Sequence, residues 1–208
     1  MLLTIIIMFA AYLLGSVPFA LVVGKGIFGV DVRKSGSGNI GTTNVFRVLG
    51  KKAGILVFAG DLAKGFLPVF LVLRLALGES AALVAVLAAG AAVAGHTWPL
   101  FLKFRGGKGV ATGGGAVIAL MPLLFLLAFA VFWLVLLAGR YVSLASLSAA
   151  VSLSVAAILT GQPAPYIFFT LLGTSVIFYA HRSNLGRLAR GDENRVSFPW
   201  NRTETGGP

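Results

Sequence analysis

The sequence predicts an all-α, polytopic integral membrane protein, and composition and patterning carry that prediction. Of its 208 residues, 58% are hydrophobic and only 11% are charged, with a mean hydropathy of +0.95. A soluble domain of this length could not bury so much apolar surface. Long apolar stretches also alternate with short polar segments in which Lys and Arg cluster. A cleaved signal peptide is the alternative for Met1–Val23, but this stretch lacks a basic n-region and is long enough to span.

Six apolar stretches are candidate transmembrane helices. They are Met1–Val23, Ala53–Leu77, Ser80–Leu100, Val110–Ala138, Val142–Thr160 and Ala164–Ala180. The fourth would form a helix of about 44 Å, longer than a hydrocarbon core of about 30 Å. Met121-Pro122 interrupts this stretch, so we expect two short helices there and seven crossings in total. Five crossings would result if residues 142–180 formed one kinked helix, although the sequence GQPAP at 161–165 is typical of a turn.

The basic residues predict the orientation. The net charge is +11, and most of the 17 Lys and Arg residues lie in Gly24–Lys52, in Phe101–Lys108 and after Ala180. The positive-inside rule places these segments in the cytoplasm, with the N-terminus outside and the C-terminus cytoplasmic. Arg74 and Arg140 are expected in the opposite connections. Topology and anionic lipid account for the positive charge, so no nucleic acid partner is expected.

One transmembrane domain is expected over residues 1–196, followed by a flexible tail over residues 197–208. There are no cysteines, which excludes a disulfide framework, a thiol nucleophile and a cysteine metal site. No metal or organic cofactor is expected, because no carboxylate cluster that could hold Mg²⁺ lies among the basic segments.

The first polar segment is SGSGNIGTTNVFR, Ser35–Arg47. Its three glycines permit positive φ, so successive backbone N–H groups could form an anion-binding nest. Thr42 or Thr43 could cap a helix that begins at Asn44. A flexible loop with Arg47 as a topology anchor is the competing interpretation, but it leaves the interleaved amides and hydroxyls unexplained.

The second polar segment is GHTWPLFLKFRGGKGVAT, Gly95–Thr112. Gly106 and Gly107 could turn their backbone N–H groups toward one anion, with Lys108 supplying a point charge. The Walker A pattern and an upstream strand are both missing, so the segment predicts a simple phosphate rather than a nucleotide. His96 could instead be an ordinary hydrogen-bonded histidine at the membrane interface.

The third polar segment is HRSNLGRLARGDEN, His181–Asn194. In a helix, His181 and Asn184 share a face, Gly191 ends the helix, and Glu193 could pair with a basic residue. A solvated basic helix on anionic lipid is the alternative. Within the second apolar stretch, Asp61 and Lys64 are spaced to pair with each other, and a structural role is preferred over lining a site.

Together these segments resemble the bacterial acyl-phosphate:glycerol-3-phosphate acyltransferases of the PlsY type. The resemblance runs from Met1 to about Val196 and rests on GSGNIGTTNVFRVLG, GHTWPLFLKFRGGKGVAT and HRSNLGRLARGDE in this order, together with DLAKG. It implies a seven-helix enzyme of the bacterial inner membrane. The implied reaction transfers a fatty acyl group from acyl phosphate to the 1-hydroxyl of glycerol 3-phosphate. Its products are lysophosphatidic acid and inorganic phosphate, the first acylation in phospholipid synthesis.

The resemblance also implies site residues. The residues it points to for catalysis and for glycerol 3-phosphate are Ser37, Arg47, Lys108, His181 and Asn184. By elimination, acyl phosphate is assigned to Asn39, Thr43, Asn44 and the backbone of Gly106 and Gly107, although the two sites could exchange members. His96 and Glu193 complete the candidate substrate-binding residues. Membrane lipid surrounds the protein, and the family setting is consistent with docking of a soluble acyl-phosphate synthase on the basic face.

Acyl phosphate is a mixed anhydride with a good leaving group, so positioning and charge stabilisation could carry much of the rate. Neither His96 nor His181 has an Asp five residues later, and no Ser-His-Asp set is evident. The hydroxyl proton could pass to His181 or to a substrate phosphate, and the phosphate is preferred. An anion transporter and a membrane scaffold are the competing functions. The one-sided polar residues and the lack of an internal repeat disfavour the transporter, and the clustered glycines disfavour the scaffold.

Overall fold

A computed structural model describes residues 1–75 and 81–197 and confirms the all-α prediction there. Over these residues the chain forms nine α-helices. They are α1 Leu2–Gly15, α2 Phe19–Gly26, α3 Thr42–Arg74, α4 Ala81–Thr97, α5 Val110–Leu120, α6 Pro122–Gly139, α7 Val142–Leu159, α8 Ala164–Ala180 and α9 Arg182–Arg190. The predicted flexible tail lies, from residue 198 onward, outside the described residues.

The predicted break inside the fourth apolar stretch is confirmed. Helix α5 ends at Leu120, Met121 leaves helical geometry with φ −145° and ψ 68°, and Pro122 begins α6. Proline lacks a backbone N–H group and suits the first turn of a helix. The turn after α7 is also confirmed: Gly161 adopts φ +62° and Pro163 precedes α8, so residues 142–180 form two helices rather than one kinked crossing.

One predicted span is divided, and another is longer than predicted. The first apolar stretch is broken at Ser16–Pro18, because Pro18 cannot donate the hydrogen bond that would continue α1. The helix predicted to begin at Asn44 begins at Thr42 and continues into the apolar run from Ala53, so both belong to α3. Gly41 is the N-cap and no side chain caps the helix, so the predicted capping by Thr42 or Thr43 is also wrong. Gly50, with φ +80°, bends α3 between its polar start and its apolar part.

Five helical segments are long and apolar enough to cross a membrane, and a sixth is added if α8 and α9, which are bent by 59°, form one span. Helix α5 has 11 residues. At about 1.5 Å per residue it extends about 16 Å, which is shorter than the ~30 Å hydrocarbon core. Seven crossings require α5 to count as one of them, so this number stays a prediction.

The turn between α6 and α7 lies beside the C-terminal segment, which corrects the predicted position of Arg140. The Arg140 Nε group donates to Val196 O at 2.9 Å, and Val196 N donates to Arg140 O at 2.8 Å. Arg140 is therefore on the same side of the protein as the basic segment after α8, not on the opposite side. This arrangement agrees with seven alternating crossings, in which the α6–α7 turn shares a side with the end of α8.

Small residues bring the central helices together. A Cβ at Gly15 of α1 would overlap the Ala92 carbonyl of α4, and a Cβ at Gly65 of α3 would overlap the Thr112 carbonyl of α5. Backbone contact of this kind is how membrane helices pack closely without a hydrophobic driving force. Large apolar side chains point outward instead; Leu159, for example, is 80% exposed, as expected for a surface that faces lipid. The close contact of α3, α4 and α5 fixes the polar segments at their ends.

Candidate active site

All three polar segments meet at one end of the helices. Lys108, in the second segment, donates a hydrogen bond from Nζ to Asn184 Oδ1 in the third. Arg47, in the first segment, lies close enough for its positive charge to lower the pKa of Lys108. The structure therefore brings together residues of all three segments, as the sequence predicted for a common site.

Asn44 organises the first segment. Its side chain is 2% exposed, and its Nδ2 donates to Val32 O at 2.9 Å and to Ser35 O at 3.1 Å, while its Oδ1 accepts from Ser37 N at 2.8 Å. Gly36 adopts φ +63°, and a Cβ there would overlap Asn44 Oδ1. The Asn44 amide is thus committed to the backbone that precedes α3, where it positions Ser37.

The other candidates of this segment lie at its surface. Ser37, Thr43 and Arg47 are exposed, and Arg47 lies in the first turns of α3. Asn39 accepts a hydrogen bond from Gly41 N at its Oδ1, at 3.0 Å, which leaves its Nδ2 group directed away from this contact. Ser37 and Arg47 are therefore accessible donors, and the Arg47 guanidinium lies near enough to Lys108 to act on its charge.

The loop that contains Gly106 and Gly107, called the two-glycine loop, does not use the N–H groups of these residues as predicted. Gly106 N donates to Thr97 O and Gly107 N donates to His96 O, both at 3.1 Å. The prediction that these two N–H groups bind an anion is therefore wrong for this conformation. Instead they hold the loop against the end of α4. Glycine is required for this approach, since a Cβ at Gly106 would overlap His96 O.

Backbone donors are supplied by the start of α5, which the sequence analysis missed. Gly109 is the N-cap with φ +77°, and α5 begins at Val110 with no side-chain cap. The first N–H groups of a helix have no partner within the helix, and they favour a nearby anion. They follow directly after Lys108, so the lysine and the helix N-terminus together present positive charge and N–H donors that suit an anion. The missing Ser, Thr, Asp or Asn at the N-cap was the available signal.

Lys108 belongs to a network that continues through Asn184 to Glu193. Asn184 Nδ2 donates to Glu193 Oε1 at 2.6 Å, Ser143 Oγ donates to the same oxygen at 2.9 Å, and Arg187 Nε donates to Glu193 Oε2 at 2.7 Å. The predicted pairing of Glu193 with a basic residue is confirmed, with Arg187 as the partner. Ser143 was not predicted, because α7 contains several serines with nothing to distinguish this one.

Burial and hydrogen bonding together set the pKa values of Lys108 and Glu193. Burial, opposed by the Glu193 carboxylate and reinforced by the charges of Arg187 and Arg47, lowers the pKa of Lys108 to about 8. Burial raises the pKa of Glu193, but hydrogen bonds from Asn184, Ser143 and Arg187 outweigh it and hold the pKa below its usual range. Lys108 is thus a cation near neutral pH, and Glu193 is an anion that holds Asn184 in place.

His181 ends α8 and presents one ring nitrogen to the site. Its Nδ1 lies 2.8 Å from Ile177 O, and because a carbonyl can only accept, Nδ1 carries the hydrogen. Burial and the charge of Lys108 lower the pKa of His181 to about 4, against the opposing effects of Ile177 and Glu193. His181 is therefore neutral at physiological pH, and its Nε2 is an acceptor. The predicted end of the following helix at Gly191 is confirmed, with φ +79°.

A polar groove borders the two-glycine loop at Gly106. It is a groove of about 830 Å³ lined by Arg33, Gly38, Asn39, Ile40, Phe101, Leu102, Lys103, Arg105 and Gly106. Lys103 and Phe104 adopt positive φ, which is uncommon for residues other than glycine. The groove joins cationic and amide groups to an apolar wall, and it contains Asn39 and Gly106, two candidates assigned to acyl phosphate. The lining cations Arg33, Lys103 and Arg105 were not predicted as site residues.

His96 is buried behind the loop rather than at an accessible surface. It is 5% exposed, and a Cβ at Gly107 would overlap its Nε2. Its Nδ1 lies 3.5 Å from Asp61 Oδ1. Asp61 and Lys64 form the predicted ion pair, with 2.8 Å between Lys64 Nζ and Asp61 Oδ1.

Over the described residues, the fold and site define an integral membrane protein built of helices, with a cluster of cationic and polar side chains at one end of them. The model of the glycerol-3-phosphate acyltransferase family matches residues 5–191. This chain belongs to that family and is an enzyme of the PlsY type.

Similar proteins cover almost the whole chain. The glycerol-3-phosphate acyltransferase of Rubrobacter xylanophilus is 49% identical over 93% of this chain and 95% of its own length. That of Geobacillus kaustophilus is 46% identical over 96% of this chain and 100% of its own length. The crystal structure of PlsY, an integral membrane glycerol 3-phosphate acyltransferase, in its glycerol 3-phosphate form has a TM-score of 0.88 and 42% identity, covering 93% of this chain and 96% of that chain. Its lysophosphatidic acid form gives a TM-score of 0.86 and 41% identity, covering 93% and 95%.

Proposed function

We propose that this chain transfers a fatty acyl group from acyl phosphate to the 1-hydroxyl of glycerol 3-phosphate, giving lysophosphatidic acid and inorganic phosphate. The observation that carries the proposal is a pair of cationic regions that both involve the two-glycine loop. One is Lys108 with the Asn184–Glu193 network, and the other is the groove with Asn39 and Gly106. An acyl transfer between two phosphate compounds needs two such regions close together.

Glycerol 3-phosphate is assigned to the Lys108 side. Lys108 and the N-terminus of α5 bind its phosphate, and the exposed Arg47 guanidinium adds a bidentate donor. Ser37, Asn184 and the Nε2 atom of His181 bind the glycerol hydroxyls. Glu193 contacts substrate through Asn184, which it holds in orientation.

Acyl phosphate is assigned to the groove. Its phosphate meets Lys103, Arg105 and the Nδ2 group of Asn39, while Ile40, Phe101 and Leu102 form an apolar wall beside the acyl chain. Thr43 is exposed at the start of α3 and completes the polar side, whereas Asn44 acts by positioning Ser37. Gly106 and Gly107 allow the loop to pack closely against the end of α4, and their N–H groups donate there rather than to the substrate.

In the reaction, the 1-hydroxyl oxygen attacks the carbonyl carbon of acyl phosphate, and the bond between that carbon and the phosphate oxygen breaks. The hydroxyl proton passes to a substrate phosphate, and inorganic phosphate leaves. Catalysis rests on the positions of the two substrates and on cations that stabilise the departing phosphate. A histidine with a pKa of about 4 is a weak base near neutral pH, which favours the phosphate as the proton acceptor.

The two proposed substrates also indicate where in the cell the enzyme acts. The proposed enzyme is a single domain over residues 1–196 in the bacterial inner membrane, with its site toward the cytoplasm, where glycerol 3-phosphate is made. The exposed cations Lys103 and Arg105 beside the groove suit docking of a soluble acyl-phosphate synthase with an acidic surface.

The direct test is turnover by purified protein in detergent with acyl phosphate and labelled glycerol 3-phosphate. Labelled lysophosphatidate and one equivalent of inorganic phosphate are expected. Acyl-CoA in place of acyl phosphate serves as the donor control and should give little product. An anion transporter or a scaffold would give no labelled lipid with either donor, and this result would refute the proposal.

Replacing His181 with Gln should raise the KM for glycerol 3-phosphate about tenfold, the equivalent of about 1.4 kcal/mol, with little change in kcat. Glutamine keeps a polar group near the hydroxyls but cannot serve as the base. Steady-state kinetics with acyl phosphate at saturation separate the two constants. A large fall in kcat, together with loss of the acidic limb of the rate profile, would instead make His181 the obligatory base.

The pH profile of kcat/KM should fall at alkaline pH because of Lys108. Its pKa is lowered to about 8, so the ammonium is present below that pH and is lost above it. The value of kcat/KM for glycerol 3-phosphate reports the free enzyme, and it should decline through pH 8 by about tenfold per unit. In Lys108→Arg the charge persists, so the remaining activity should stay level there. An unchanged alkaline limb in this variant would contradict the assignment.

A further inference from the structure

We propose that Asp61 is a positioning residue that acts through His96 on the two-glycine loop, and this inference rests on the proposed function of that loop. The cluster consists of Asp61, Lys64 and His96. It lies behind the loop and takes no part in the transfer reaction described above. Its members come from α3 and α4, the helices whose ends carry the first two polar segments.

The cluster is fully inside the protein. The side chains of Asp61 and Lys64 are each 2% exposed, and that of His96 is 5% exposed. Lys64 Nζ also donates to Val17 O at 2.9 Å. That carbonyl lies in the break between α1 and α2, where Pro18 removes a backbone donor. Lys64 therefore has a structural role of its own: its ammonium group donates to the backbone carbonyl in the break and pairs with the negative charge of Asp61.

The ion pair with Lys64 does not account for all the polar atoms of Asp61 and His96. Among the described residues, Asp61 Oδ2 and His96 Nδ1 are buried polar atoms without a hydrogen-bond partner. Such atoms are rare in native structures and call for a functional or structural reason. His96 Nδ1 faces Asp61 Oδ1 at 3.5 Å, and a movement of about 0.5 Å would make this contact a hydrogen bond. The cleft around them is too narrow for a water molecule, so protein movement has to provide the partner.

His96 connects the cluster to the loop at two points. Its carbonyl accepts from Gly107 N at 3.1 Å, and its ring nitrogen Nε2 occupies the space that a Cβ of Gly107 would need. The position of the ring therefore limits where Gly107 can lie, and Lys108 follows immediately in the chain. When the 3.5 Å contact with Asp61 closes, His96 Nδ1–H donates to the carboxylate, which fixes the ring and with it the position of Gly107 and the Lys108 backbone.

The same cluster also touches the first polar segment. Ile40 lines the cleft together with Asp61, Lys64 and His96, and Ile40 also lines the groove assigned to acyl phosphate. The cluster thus lies at the junction of both substrate regions. A change at Asp61 should alter how phosphate substrates bind in both regions, beyond its effect on stability.

Two double variants of similar side-chain shape, which differ in the two terminal atoms at position 61, test the inference. Asp61→Asn/Lys64→Met and Asp61→Leu/Lys64→Met both remove the two buried charges, which avoids leaving one charge unpaired. Asparagine still offers His96 an oxygen acceptor, and leucine does not. We expect the asparagine variant to keep kcat/KM within about threefold of wild type, and the leucine variant to lose about tenfold or more, mainly through higher KM.

Thermal stability and ligand binding are measured beside the kinetics. Ser154→Ala is the matched control, since it removes a buried 2.9 Å hydrogen bond to Thr174 between α7 and α8, away from the loop. It should lower Tm without raising KM. Equal activity in the two double variants would overturn the inference, whether both are fully active or both are impaired. If the leucine variant does not fold, His96→Gln, which keeps a donor, is compared with His96→Leu, which has none.

The shift in Tm caused by inorganic phosphate gives a readout that does not require turnover. It should be retained in the asparagine variant and reduced in the leucine variant. If wild-type protein forms no lysophosphatidate but shows this difference, the proposed function fails and the positioning role stands. Normal wild-type turnover with the same phosphate shift in both variants refutes the positioning role alone.

Discussion

Replacing Lys108 with Met is expected to lower kcat/KM for glycerol 3-phosphate about a thousandfold, a loss of about 4 kcal/mol of transition-state stabilisation. Lys108 directly precedes the N-cap of α5 in the chain, and its side chain is partly buried. A charge in such a place interacts more strongly with phosphate than it does in water. Methionine preserves the length and apolar stem of the side chain but removes the charge.

The Lys108→Met effect is measured by lysophosphatidate formation over a range of glycerol 3-phosphate concentrations. Lys52→Met is the matched control, because Lys52 is an exposed lysine on α3 outside the proposed site. It should retain activity close to that of wild type. Removal of Lys108 also deprives Asn184 of a donor, so Tm is recorded for both variants. A Lys108→Met protein with normal kcat/KM would rule out Lys108 as the phosphate ligand.

Replacing Arg47 with Ala is the second large effect, with an expected loss of about a hundredfold in kcat/KM or more. Arg47 is exposed at the start of α3, so its loss should affect substrate binding more than folding. Lysine at this position keeps the charge but not the bidentate geometry, and Arg47→Lys should recover only part of the activity.

Arg74→Ala is the control for Arg47→Ala, because Arg74 is an exposed arginine at the other end of the same helix. Ser37→Ala tests the same polar segment and should also remove most of the product, since Asn44 fixes the backbone of Ser37 in the loop before α3. Full activity in both Arg47→Ala and Ser37→Ala would show that the first polar segment does not bind glycerol 3-phosphate.

The membrane class, the break at Met121-Pro122 and the turn after α7 could be predicted from sequence, because each depends on local features. Apolar length indicates a span, and proline indicates a helix start where it falls between two apolar runs. Proline alone is not decisive, because Pro68 lies inside α3 and the break at Pro18 was not predicted. The helix expected from Asn44 was predicted to within two residues of its start at Thr42, but its continuation into the apolar run from Ala53 was not. The buried Asn44 fastens the polar first turns of this helix to the preceding loop.

Arg140 illustrates the same limit for topology. Its sequence neighbours did not show which side of the membrane it occupies, whereas its side-chain Nε and its backbone carbonyl both bond to Val196 and place it beside the C-terminal segment. Ser143 was missed for a related reason. One serine among several in α7 gains a role only because Glu193, 50 positions later, reaches it.

Composition, periodicity and residue type are local properties, and they were enough to predict a helical membrane protein with basic, glycine-rich segments suited to phosphate. The arrangement of those segments depends on the folded chain. The fold joins Lys108 to Asn184 across 76 positions, turns the N–H groups of Gly106 and Gly107 toward α4, and leaves the start of α5 without a side-chain cap. These outcomes depend on which groups distant parts of the chain bring within hydrogen-bonding distance, and no local pattern encodes that.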